Sequence, residues 1–146
     1  MPARRLALAL SLLTGPMIVP GAWASGQGVG ENQQATYTDG QAEAGSAVYR
    51  QACADCHLAS LRGSFEAPEL AGPSFRRIWA SRPVSALLDL IRETMPPEDP
   101  RSVTDQQVTA VTAYLLRENG ISPGDADLSF GSLGQTIAGA AAERTG

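Results

Sequence analysis

Lysine is absent from this chain: all eleven basic residues are arginine, set against fifteen aspartates and glutamates. Histidine occurs once and cysteine twice. Each shortage excludes something. An acidic chain without lysine is a poor partner for nucleic acid or an anionic membrane surface, and it has no lysine ring with which to dock. A structural zinc site needs four Cys, His or carboxylate ligands; here only three cluster, with no second pair. The two cysteines lie too close in sequence for a disulfide between them to stabilise a domain by much. No stretch alternates apolar and polar residues as a half-buried strand does. No apolar run reaches the roughly 20 residues that cross a bilayer.

What is present begins with a secretion signal over residues 1–24. Arg4 and Arg5 form its charged region, Leu6 to Leu13 and Met17 to Val19 its apolar region, interrupted by Gly15-Pro16. Ala22-Trp23-Ala24 supplies the small residues of a cleavage site. The expectation is export through the inner membrane, cleavage before Ser25, a periplasmic mature protein and no stable membrane insertion afterwards; an uncleaved anchor is the alternative. Loss of Arg4 and Arg5 leaves nine arginines against fifteen carboxylates, a net of −6. That charge favours docking onto a basic or neutral partner.

Composition divides the remainder into a flexible leader, 25–38, a helical domain, 39–122, and a Gly/Ala/Ser-rich tail, 123–146, expected to be disordered. From Asp39 onward, Ala42, Gly45, Tyr49, Ala52 and Cys56 recur at helical spacing. Leu58 to Ser81 shows no sustained period and reads as irregular. A short helix begins near Pro83, carries Val84, Leu87, Leu88 and Ile91 on one stripe, and stops before Pro96-Pro97. The best signalled helix opens with Thr104 and Gln107 as a capping box and Val103 with Val108 as a staple. Val108, Val111 and Leu115 line its face, flanked by Tyr114 and Leu116, and Asn119-Gly120 with Pro123 ends it. About 84 residues make a marginal core, which a large bound apolar group would complete.

Cys53-Ala54-Asp55-Cys56-His57 is the pattern for covalent attachment of a c-type haem. The two thiols add to the haem vinyl groups, and the adjacent imidazole is then held under the iron. Once residues 1–24 are removed, Met95 is the one methionine left. Imidazole with thioether is an axial pair that raises the potential of cytochromes c. Both axial positions are then filled, so the protein is read as an electron carrier and not an enzyme. Two alternatives stand beside this reading. One is a ligand-binding or sensing haem protein in which Met95 does not bind iron. The other is a thiol–disulfide oxidoreductase, which needs its Cys pair at a helix start after a strand.

Taken together, YTDGQAEAGSAVY at 37–49, CADCH at 53–57, APELAGPSF at 67–75, Trp79, the Leu87 to Met95 run ending in TMPP and the Thr104 to Tyr114 helix resemble a class I monohaem cytochrome c. More narrowly, the chain is similar to the small cytochrome domains and subunits of quinoprotein dehydrogenase systems. The resemblance implies an all-α cytochrome c fold, three to four helices wrapped round one covalent haem c. It implies that the Pro68 carbonyl accepts from His57, that Leu70 packs on the haem, and that the Trp79 indole reaches a propionate, with Arg76, Arg77 and Arg82 nearby. It also implies that Gly45 and Tyr49 cross closely against Val111, Tyr114 and Leu115. The implied partners are a periplasmic dehydrogenase of the quinoprotein kind as donor and a downstream oxidase or cytochrome as acceptor.

Overall fold

Helix α1 (Asp39–Ala52) starts where its cap dictates: the Thr38 hydroxyl accepts the Gln41 N–H at 3.2 Å, and Asp39 sits in the first turn. In the computed structural model, which describes residues 33–132 and 135–137, the order continues through a single turn α2 (Ala54–His57), α3 (Pro73–Trp79), α4 (Val84–Thr94), a 3-10 turn (Pro100–Ser102) and α5 (Asp105–Glu118). Two short strands, β1 (Gln33–Gln34) and β2 (Gln135–Thr136), pair in parallel. The fold is all-α apart from this pair. Among the described residues no helix is long and apolar enough to cross a membrane. The segment read as a secretion signal lies outside the described residues.

Helices α1 and α5 form the frame. The α5 capping box is complete, with Gln107 N–H on the Thr104 hydroxyl at 3.3 Å and Thr104 N–H on the Gln107 side chain at 2.9 Å. Its other end closes as a Schellman motif: Ile121 N–H bonds Leu116 C=O, Gly120 N–H bonds Arg117 C=O, and Gly120 takes φ +82°. Between these ends Val108 to Leu116 are all buried, on two faces rather than the one the period predicts. Val108, Ala113 and Leu116 pack with Tyr37, Phe75, Leu87 and Leu88; Val111, Tyr114 and Leu115 pack with Tyr49 and Leu61. The domain wraps α5 on both sides, so a one-sided stripe understates it.

Three expectations are revised. Residues 73–79 form a helix inside the stretch read as irregular; Pro73 occupies its first turn, Phe75 is buried and Trp79 partly so, too few anchors to show a period. Helix α1 does not run through Cys56 but stops at Ala52, and the CADCH motif makes its own turn, with His57 N–H on Cys53 C=O at 3.0 Å. Finally, the leader and tail belong to the core where they are described. Tyr37 is buried and its hydroxyl donates to Ile121 C=O. Leu128 and Ile137 are buried in the same cluster, and the Gln41 side-chain amide both donates to and accepts from the Leu128 backbone at 2.8 Å. Ile137 N–H reaches Arg82 C=O at 3.1 Å, just before α4. At the described residues 33–38, 123–132 and 135–137, a few apolar anchors and backbone bonds attach stretches whose composition alone reads as unstructured.

Candidate functional site

The turn α2 places Cys53, Cys56 and His57 within five residues, Cys53 serving as the last cap of α1 and the first of α2. His57 is 8% exposed, and its Nδ1 lies 2.9 Å from Pro68 C=O. A carbonyl can only accept, so Nδ1 is the donor, and in the neutral ring the lone pair then lies on Nε2. Such a partner fixes ring orientation and makes the imidazole a stronger ligand. The loop that delivers Pro68 is closed by backbone bonds, from Gly63 N–H to His57 C=O at 3.1 Å and from Leu70 N–H to Leu61 C=O at 2.8 Å. Gly63 permits this closure: it has φ +72°, and a Cβ there would stand 2.4 Å from the Ala67 carbonyl oxygen.

Apolar side chains gather beside the motif. Tyr49, Leu61, Val111 and Leu115 form a buried cluster, against which Cys53, Leu70 and Ile91 pack. Leu70 and Ile91 also touch the second cluster around Phe75 and Leu88, so they stand between the two halves of the core. Met95 follows α4 directly, half-buried, with its N–H on Ile91 C=O at 2.9 Å. Trp79 ends α3, stacked at 6.3 Å on Phe75 and covered by the Arg82 guanidinium at 5.1 Å; Arg76 and Arg77 point to solvent. Cys53, Cys56 and His57 thus share one turn, with Leu70 packed against the same cluster as Cys53, whereas Met95 lies at the end of α4, four residues past Ile91, and Trp79 packs with the Phe75 cluster.

The electrostatics bear on the chemistry. Burial pushes the Cys53 thiol up to about 11, and no disulfide joins it to Cys56. Thiol–disulfide enzymes need the opposite, a thiol lowered towards neutrality. Among the described residues no group of three or more His, Cys, Asp or Glu is placed to hold a metal ion. Two free thiols beside a histidine whose Nδ1 is tied to a backbone carbonyl, with an apolar surround, fit a covalent haem.

Two residues go beyond the sequence reading. The Tyr49 hydroxyl donates to Leu58 C=O at 2.7 Å, and burial, then the neighbouring Cys53 and Tyr114, hold its pKa well above the usual phenol range. Asn119, read only as a helix stop, sends its side chain to Leu70, Gly72 and Leu115. The helix-stop signal marks its place but not its reach.

A family model described as cytochrome c oxidase, cbb3-type, subunit III matches residues 40–115, more than half of the chain. A search of curated proteins finds no match. Among solved structures, the sulfane dehydrogenase SoxCD from Paracoccus pantotrophus is similar at 23% identity and a TM-score of 0.46, over 64% of this chain. The match spans about half of that chain, 54%.

Proposed function

The chain belongs to the cytochrome c oxidase cbb3-type subunit III family, and from this membership we propose that it is a periplasmic electron carrier whose iron is held between His57 and Met95. Membership makes it a class I cytochrome c with covalently bound haem c. The observation that carries the finer reading is the 2.9 Å contact from His57 Nδ1 to Pro68 C=O, which leaves Nε2 free for a metal.

Bound at this site, haem c supplies a reversible one-electron centre. The chain does the rest. Cys53 and Cys56 hold the group by two thioethers, and Pro68 orients the His57 ring. The Met95 thioether favours the reduced state and so a higher potential. Tyr49, Leu61, Leu70, Val111 and Leu115 exclude water, which keeps the change in charge in a low-dielectric setting. Trp79 with Arg82 offers donors to a propionate. The acidic, lysine-free surface docks a basic or neutral donor, a dehydrogenase of the quinoprotein kind, and delivers electrons to an oxidase or a further cytochrome.

Mass spectrometry of exported protein tests this. The expected product lacks Met1 to Ala24 and carries the mass of one haem, with an alkaline pyridine spectrum of a two-thioether haem. Cys53→Ser and Cys56→Ser sharply lower the yield of loaded protein and leave chain unfolded by circular dichroism. A haem-free chain that is well folded overturns the reading.

A further inference from the structure

We propose that Asn119 is a positioning residue for the iron-binding histidine, holding from the end of α5 the backbone that carries the Pro68 acceptor; this rests on the reading of His57 as an iron ligand. Asn119 is only 6% exposed, and both of its amide protons and its oxygen are hydrogen-bonded. Nδ2 donates to Leu115 C=O at 2.8 Å and to Leu70 C=O at 2.9 Å, while Oδ1 accepts the Gly72 N–H at 3.0 Å. One amide thereby grips Leu70 and Gly72, two alternate residues of the bend that leads into α3.

Closing α5 does not require this side chain. The backbone N–H groups of Asn119, Gly120 and Ile121 already meet the Leu115, Leu116 and Arg117 carbonyls. What needs a partner is the bend itself. Pro68 has no N–H, and Leu70 uses its N–H on Leu61. The Leu70 carbonyl and the Gly72 N–H therefore face α5, and Asn119 meets both. With Leu70 held on one side by Leu61 and on the other by Asn119, the Pro68 carbonyl two residues earlier cannot drift from Nδ1. Gly72 C=O also accepts the Arg76 N–H, so the same grip sets the start of α3. The outer partners of a ligating histidine tune its donor strength, and here that partner is a backbone atom anchored by a distant side chain.

The test uses the loaded protein and two readouts, exchange of the His57 ring N–H proton by NMR and the midpoint potential. Asn119→Ala should speed the exchange by about tenfold, the effect of weakening a buried hydrogen bond. It should also raise the potential, because a weaker imidazole donor stabilises the oxidised iron less. Asn119→Asp keeps the acceptor for Gly72 but loses both donors, and should move both readouts the same way should the alanine variant fail to fold. Thr112→Ala is the control: Thr112 is buried in α5 and bonds only within it, to Val108 C=O. It should lower stability and leave both readouts in place. Unchanged exchange and potential in the Asn119 variants, or equal shifts in Thr112→Ala, would overturn the proposal. A wild-type protein whose His57 resonances lack the shift caused by iron would remove its premise, and is seen separately.

Discussion

Gly45 and Ala110 meet so closely that a methyl group on Gly45 would stand 1.8 Å from the Ala110 carbonyl oxygen and 2.4 Å from its carbon. The obstacle is backbone, which cannot swing aside as a side chain can. One turn further along, Tyr49 and Tyr114 lie 5.3 Å apart with rings tilted at 49°, a favourable aromatic arrangement. The crossing of α1 and α5 is therefore fixed at a glycine and clasped by a tyrosine pair. Since α1 leads straight into the haem turn, the crossing sets where Cys53 begins.

Gly45→Ala should gain about 1 kcal/mol in helix propensity and lose more by overpacking, about 3 kcal/mol. The net effect is a melting temperature lower by about 10 °C for a domain of this size. Thermal unfolding of the loaded protein checks it. An unchanged or higher melting temperature would mean that the helices have room.

Met95→Ala should lower the midpoint potential, abolish the weak near-infrared iron–sulfur band of the oxidised protein, and open the reduced iron to carbon monoxide. The intact chain should bind carbon monoxide poorly. If the wild type binds it readily and lacks that band, Met95 is not a ligand and the sensing role takes over.

A stop after Ser122 should destabilise the domain by about 3 kcal/mol or more. It removes Leu128 and Ile137, which are 2% and 1% exposed, and burying an aliphatic side chain of this size is worth about 1.5–3 kcal/mol. It also removes the Gly124 N–H bond to Tyr37 C=O and the Ile137 N–H bond to Arg82 C=O. Urea unfolding measures the loss, and a midpoint equal to that of the full chain would show that the tail adds nothing.

Alkaline pH should weaken the fold through its tyrosines. Burial is the leading cause that raises Tyr37, Tyr49 and Tyr114 above the usual phenol value of about 10. An acid whose pKa is higher folded than unfolded contributes stability that is complete below the unfolded value. That contribution falls as the pH rises through the folded one. Stability should thus decline above about pH 10, and Tyr49→Phe should reduce the slope there. Melting temperatures at successive pH values, with Tyr49→Phe beside wild type, decide it; identical slopes would exclude Tyr49 as a contributor.

Legibility in the sequence followed locality. Helix α5 was readable because its cap, staple, period and stop all lie within its own residues. The ends of α4 were readable from Pro83, which suits a helix start, and from Pro96-Pro97, which stop the helix before them. Helix α3 escaped because it is only seven residues long, with Phe75 buried and Trp79 partly buried against the core, too short a pair to show a period. The tail escaped because composition averages over Leu128 and Ile137, the residues that seat it. At the site, the thiols and histidine are adjacent in sequence, since attachment to one haem demands it. Asn119 acts on residues 47 and 49 positions away, and no local pattern records such a reach.

The parallel pair of Gln33–Gln34 with Gln135–Thr136 has a bearing on the order in which the molecule assembles. It joins points about 100 residues apart, and bringing such ends together costs about 4 kcal/mol in chain entropy alone. Two residues per strand cannot meet that cost in an open chain. The pair gains its footing only after α1, α4 and α5 have brought Ala35 and Ile137 into one core. It is consequently the last part to close and the first to let go. The α1–α5 crossing and the haem turn lie outside this pair, so the pair can open and reclose while they stay intact.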